Sequence, residues 1–394
     1  MTARAAARAP RIALDTLGVP LGLLTIAAVW LAPFVVLRPN RIAAGEGLSL
    51  FRALPAMQAG ALAALWIASA LWAMTASRAR WRLAAGCALL ATLAFATGAA
   101  APHLVAPDDA LALARVSPAA GVWLLLFAWT VLVADALARL AFGPWRRLAA
   151  LAVAAALLAL LLKSGWWDGL SVMREYAVRS DSFWQEGGRH LALAGGSVAA
   201  ALAAGVPLGI ACARAAALRS VVMPLLDIVQ TIPSIAMYGL LMVPLGLLSA
   251  HVPLAAALGI HGIGVAPASL ALFLYALLPI ASSVVVGLQQ VPPQVAEAAA
   301  AMGMSRLQRL VQVDLVLALP VILSGVRIVL VQNIGLTAVA ALIGGGGFGT
   351  FIFQGIGQSA ADLVLLGAIP TIALALVAAV VFEAAATLAK GRAA

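Results

Sequence analysis

Pro292-Pro293-Gln294-Val295-Ala296-Glu297-Ala298-Ala299-Ala300-Ala301-Met302-Gly303-Met304-Ser305-Arg306-Leu307-Gln308-Arg309 is the stretch on which the reading of this chain turns. It is too polar to cross a bilayer and too regular to be a simple turn, and its spacing predicts two short helices. The paired prolines open the first, Gly303 supplies the left-handed residue that ends it, and Ser305 with Gln308 three positions on makes a capping box for the second. Leu307, Leu310, Val311 and Asp314 follow at helical spacing beside Arg306 and Arg309. The residues alone leave two readings open: a helix-turn-helix presented at the membrane face, or an interfacial helix lying on it.

On either side the chain is apolar. Of 394 residues 64% are hydrophobic and 10% charged, against roughly 45–50% and about 25% in a soluble domain, which excludes a water-soluble globule. Apolar runs long enough to cross at about 20 residues each lie over 13–37, 56–76, 83–105, 119–141, 148–163, 190–212, 222–249, 267–289, 320–344 and 363–388. The expected fold class is therefore all-α, a polytopic membrane protein of about ten transmembrane helices. The first run, preceded by Arg4, Arg8 and Arg11, exceeds a cleavable signal core and is read as a retained span. Cys87 and Cys212 both fall in apolar runs and read as buried free thiols.

The formal charge of +10 reads as topology, because the arginines sit in short connections rather than on a soluble basic face, and no nucleic-acid partner is expected. With the N-terminus inside, Arg78, Arg80, Arg82, Arg139, Arg146, Arg147, Arg214, Arg219, Arg306 and Arg309 join the basic tails on the inner face. Arg38, Arg41, Arg52, Arg115, Lys163, Arg174, Arg179 and Arg189 are left outside, as are the acids Glu46, Asp108, Asp109, Asp168, Glu175, Asp181 and Glu186. Both termini are thus expected in the cytoplasm. All ten tryptophans precede position 185, so 1–162 reads as an N-terminal accessory membrane region and 163–188 as an outer-surface connection with aromatics at headgroup level. Residues 189–389 form a separate core.

Glu297-Ala298-Ala299, three residues, then Gly303, followed by Leu317-Ala318-Leu319-Pro320-Val321-Ile322-Leu323-Ser324-Gly325, resembles the EAA coupling loop of ABC-importer permeases, here at 290–318. Glu383-Ala384-Ala385 repeats the tripeptide without the spaced glycine and carries no such weight. The resemblance spans roughly 189–389 and sharpens to the glycine betaine/osmoprotectant group through Gln230-Thr231-Ile232-Pro233-Ser234, Tyr275-Ala276-Leu277-Leu278-Pro279 and Ile343-Gly344-Gly345-Gly346-Gly347-Phe348-Gly349. The N-terminal extension is similar to that of the longer YehY-type permeases. One departure is Val316, where the family often carries proline; a second helix running straighter into the ninth span is expected from it.

The resemblance implies a MetI-like, five-helix type I ABC-importer core in a bacterial inner membrane. It implies an ATP-binding subunit docked on Glu297, Ala298, Ala299, Gly303, Ser305 and Arg306, with ATP and Mg on that partner and no cofactor on this chain. It further implies an extracytoplasmic substrate-binding protein, a second permease copy or paralogue, and osmoprotectants such as glycine betaine or choline as cargo.

For the path itself, Asp227, Gln230, Thr231 and Ser234 fall at i, i+3, i+4 and i+7 of the seventh span. This polar stripe reads either as lining a water-filled conduit or as a helix-packing interface held by interhelical hydrogen bonds, with Pro233 expected to kink or open the helix there. Gln332 and Asn333, near the middle of the ninth span, are candidates to line a path or to hold helices together. Arg327 is expected to snorkel to the inner interface. The Gly344–Gly349 run reads as flexible backbone at an outer gate rather than a dinucleotide loop, since no strand precedes it. His103, His190, His251 and His261 show no metal-ligand spacing. The alternative to an importer subunit is an ATPase-independent carrier or channel for a small zwitterion; a lipid-modifying enzyme is disfavoured by the lack of a polar catalytic cluster.

Overall fold

A computed structural model describes residues 14–40, 43–75, 77–105 and 113–393. Arg4, Arg8, Arg11, Arg41, Asp108 and Asp109 lie outside the described residues. Backbone in hydrocarbon must satisfy its own hydrogen bonds, so apolar runs become helices. Among the described residues nine helices are long and apolar enough to cross a membrane, and one shorter apolar helix precedes them. Residues 1–142 with 155–174 form one unit, and 143–154 with 175–394 a second.

The first unit contains α1 (Gly18–Leu31), β1 (Val35–Arg38), β2 (Glu46–Leu48), α2 (Leu50–Ala53), α3 (Ala56–Ala73), α4 (Ala79–Leu104), β3 (Arg115–Pro118) and α5 (Ala120–Leu140). The first span, expected over 13–37, is instead a helix of 14 residues, about 21 Å long at 1.5 Å per residue, after which Val35 enters a strand. The three strands pair antiparallel in the order β2-β1-β3, with Val35 opposite both Leu48 and Pro118. This small sheet is an addition to the all-α expectation. Trp66, fully buried, donates through Nε1 to Thr92 Oγ1 at 3.0 Å and packs edge-on against Trp129, 5.2 Å between ring centres. At the far end of the same helices Asp15 accepts from the Gly18 amide at 2.7 Å and meets Arg82 at 2.7 Å and Arg139 at 3.0 Å. Arg139 in turn bonds Asp135 at 2.9 Å. Burial pushes the Asp15 carboxyl up, but the Gly18 amide and the two guanidiniums outweigh it and hold the group below the usual carboxylate range.

α6 (Pro144–Lys163) follows. The connection expected over 163–188 is mostly helical: after a short turn come α7 (Ser171–Val178) and α8 (Ser180–Arg214). Trp166 and Trp167 donate their indole N–H groups to the carbonyls of Phe95 and Ala94 at 3.0 and 2.9 Å. These rings pin the turn onto α4 rather than only marking the headgroup level.

In the second unit α9 (Ala216–Thr231), α10 (Ser234–His251), α11 (Pro253–Ala257), α12 (Val265–Gln289), α13 (Pro293–Ala301), α14 (Arg306–Arg309), α15 (Leu315–Ala340), α16 (Gly349–Gly357) and α17 (Ala361–Ala393) complete the chain. Its core lies where α8, α12 and α15 cross, with Val198, Ala201, Ile280, Val284, Val326 and Val329 buried together. The seventh span, expected over 222–249 with Pro233 kinking or opening it, does open there: Ile232 and Pro233 are extended between α9 and α10. Pro233 cannot donate to the helix, and its ring disfavours helical backbone at Ile232.

Candidate functional site

The stretch from Pro292 to Arg309 forms an elbow. Pro293 opens α13, and the helix ends in a Schellman motif: Gly303 takes φ +79°, its amide donates to Ala300 at 3.0 Å, and the Met304 amide donates to Ala299 at 3.2 Å. Ser305 Oγ accepts from the Gln308 amide while Gln308 Oε1 accepts from the Ser305 amide, a complete capping box. Ala299 is buried under the elbow, whereas Glu297, Ala298, Ser305 and Arg306 are exposed, as are Met302 (75%), Leu307 (69%) and Val311 (53%). The second helix is not a separate short element. α14 passes through a π-helical turn at Leu310–Asp314 directly into α15, so residues 306–343 run as one helix of 38 residues. Without a proline at Val316, the first proline of this long helix is Pro320, already inside α15 and within the continuous helix.

The path candidates are distributed differently from the expected stripe. The break at Pro233 places Ser234 at the start of α10, off the face that carries Asp227 and Thr231 on α9. Gln230 is committed to structure: its Nε2 donates to the Tyr275 carbonyl at 2.7 Å, and the Tyr275 hydroxyl donates to the Ile232 carbonyl at 2.5 Å. Pro279 has no N–H for the carbonyl four residues before it, so Tyr275 is the carbonyl that needs an outside donor. Thr231 Oγ1 donates to its own helix at Ile228. Asp227 is exposed. Below it, toward the start of α9, a groove of about 620 Å³ opens between Arg219, Ser220 and Met223 on α9 and Ser282 and Val285 on α12.

Gln332 and Asn333 part company. Gln332 is half-buried, while Asn333 is fully buried and donates through Nδ2 to Ser197 Oγ at 2.9 Å and to the Leu272 carbonyl at 3.2 Å, joining α15 to α8 and α12. Asn333 thus holds helices together. Arg327 does not merely snorkel: it bonds Glu383 of α17, which Arg147 of α6 also approaches at 3.4 Å. The glutamate of the second, unspaced tripeptide has a structural use that the sequence reading passed over.

The Gly344–Gly349 run is buried from Gly345 onward, not loose. Glu186 Oε2 accepts the Gly347 amide at 2.5 Å, and one turn along α8 His190 Nδ1 accepts the Phe348 amide at 3.3 Å. With Nδ1 accepting, Nε2 carries the proton and donates to the Ile334 carbonyl at 3.0 Å. Glu186 and His190 therefore satisfy the open amides ahead of α16, a pairing legible only as an i, i+4 repeat of polar residues in α8. Among the described residues no three His, Cys, Asp or Glu side chains gather as a metal site.

Comparison with known proteins gives two family matches: "ABC transporter permease YehY, N-terminal domain" over residues 15–173 and "Binding-protein-dependent transport system inner membrane component" over residues 205–392. The osmoprotectant import permease protein OsmW of Salmonella typhimurium is 41% identical over 48% of this chain and 83% of its own length. The choline transport system permease protein OpuBD of Bacillus subtilis is 36% identical over 52% of this chain and 84% of its own. Among solved structures, an inward-facing form of the MetNI methionine ABC transporter aligns with 53% of this chain and 95% of that chain at 21% identity, with a TM-score of 0.46.

Proposed function

Because the chain belongs to the binding-protein-dependent transport system inner membrane component family, as a multi-pass permease subunit of an ABC importer, we propose that it conducts quaternary-ammonium osmoprotectants, choline or glycine betaine among them, across the inner membrane. In this reading the ATP and Mg are held by a separate ATP-binding subunit, solute arrives on an extracytoplasmic binding protein, and a second permease chain completes the path. Residues 189–389 act as the core, 1–162 as an accessory membrane region, and both termini face the cytoplasm.

One observation carries the coupling part of this reading. The elbow at Gly303 is capped at both of its helix ends, exposes Glu297 and Arg306 beside Met302 and Leu307, and continues without a gap into a membrane-crossing helix. Apolar side chains exposed next to charges form the kind of surface a protein partner covers. A force applied to that surface is applied to the span. Asp227 and Thr231 on α9, Ser234 at the start of α10 and Gln332 on α15 remain the path candidates; Gln230, Pro233 and Asn333 support the frame around them.

The test is uptake of labelled choline and glycine betaine by cells expressing Glu297→Lys or Gly303→Pro. Uptake is expected to be abolished while membrane insertion, followed by immunoblot, is retained. Co-purification of a P-loop ATPase with the wild-type chain but not with Glu297→Lys is the matching biochemical result. Full transport by the purified chain alone in sealed vesicles would instead establish the ATPase-independent carrier.

A further inference from the structure

Asp227 is a charged group without a use in the fold. It is exposed on α9, a helix with no buried residue, and among the described residues it has no hydrogen-bond or ion-pair partner. Its depth follows from its neighbour. Gln230, three residues on, is bonded to Tyr275, which lies close to the middle of the 25-residue α12. Asp227 is only about 4.5 Å along the helix axis from Gln230, so it sits within about one turn of the centre of a bilayer-crossing helix.

A carboxylate turned toward hydrocarbon at that depth is strongly unfavourable, so this one faces water or another polypeptide. The groove decides between them. Ser220, Met223 and Asp227 recur at helical spacing on one face of α9, and the groove along that face is walled on the α12 side by Ser282. The groove carries Arg219, Ser220 and Ser282, polar groups that suit a water-filled path, and it lies along the helix face that also bears the carboxylate.

We propose that Asp227 gives the translocation path a preference for solutes of net positive charge over zwitterions, an inference that rests on the importer reading above. A carboxylate between low-dielectric walls concentrates cations. A quaternary ammonium alcohol presents only its positive charge to Asp227, whereas a quaternary ammonium carboxylate also presents an anionic group that the aspartate repels. Arg219, which lines the groove, lies about 12 Å along α9 from Asp227.

The test compares choline with glycine betaine uptake by the full chain expressed with its native partners in cells lacking other routes for either solute. Asp227→Asn is expected to lower the choline-to-glycine-betaine ratio roughly tenfold, and Asp227→Glu to keep it within about twofold. An unchanged ratio, or equal loss of both solutes, overturns the proposal while leaving the importer reading intact. A wild-type chain that moves neither solute removes that reading and this one together. Independently of transport, Asp227→Cys in a Cys87→Ser background, where the remaining Cys212 is buried, is expected to react with a membrane-impermeant thiol reagent; absence of labelling overturns the water-facing placement.

Discussion

Gln230 and Tyr275 hold each other's helices at the points where proline has opened them: the Gln230 amide donates to the Tyr275 carbonyl, and the Tyr275 hydroxyl donates to the Ile232 carbonyl at the break before Pro233. Tyr275→Phe leaves the Ile232 carbonyl without its donor inside the bundle, a loss of about 1–3 kcal/mol. The thermal unfolding midpoint in detergent is expected to fall accordingly. Adding Gln230→Ala should lower it by less than the sum of the single effects, since both residues serve one joint.

Gly303 is the residue that lets the elbow turn. At φ +79° a side chain is opposed by the following carbonyl, and Gly303→Ala should cost about 1–2 kcal/mol locally. Hydrogen exchange at Met302 and Met304 is expected to quicken while the membrane-crossing helices keep their protection.

Glu186→Ala removes the acceptor of the Gly347 amide. Exchange at Gly347 and Phe348 is expected to accelerate roughly tenfold or more, with helices distant from α16 unchanged. Equal acceleration throughout the chain would mean that Glu186 supports the whole fold rather than this turn.

The Asp15 carboxyl lies below its usual range in the folded protein. A group depressed by folding contributes stability that is present above its unfolded value and is lost as pH falls through the folded one. Acidification below the ordinary aspartate range should therefore destabilise the wild type more than Asp15→Asn, whose own lower midpoint at neutral pH should depend less on acid. Parallel acid curves for the two proteins would rule out Asp15 as the source.

The apolar runs show the membrane class plainly, and the elbow is readable because each of its parts is local: a proline pair, a glycine, and a serine three residues before a glutamine. The strands are not readable that way. Leu37 pairs with Val116 across almost eighty positions, and neither four-residue segment has an alternation long enough to signal a strand. How the polar stripe divides was hidden for a related reason. Periodicity places Gln230 beside Asp227, but whether an amide faces a path or a neighbour depends on which distant carbonyl lacks a donor. Pro279, four residues after Tyr275, was the available clue. Asn333 gave none, because an asparagine that ties three helices and one that lines a channel look alike in one dimension.

The π-helical turn at Leu310–Asp314 has a geometric consequence for the long helix in which it lies. A π turn takes up one residue more than an α turn for nearly the same rotation, so each residue beyond it lags by about 100° behind the angle a regular α-helix would give it. The direction in which Leu307 and Val311 point at one end is thus phased against the azimuth of Asn333 at the other by five residues of wider winding. Removing a single residue between 310 and 314 would turn the wide turn into an ordinary one and keep the two ends in step. Removing one elsewhere in the helix would set them out of step, like a key cut correctly and inserted at the wrong angle.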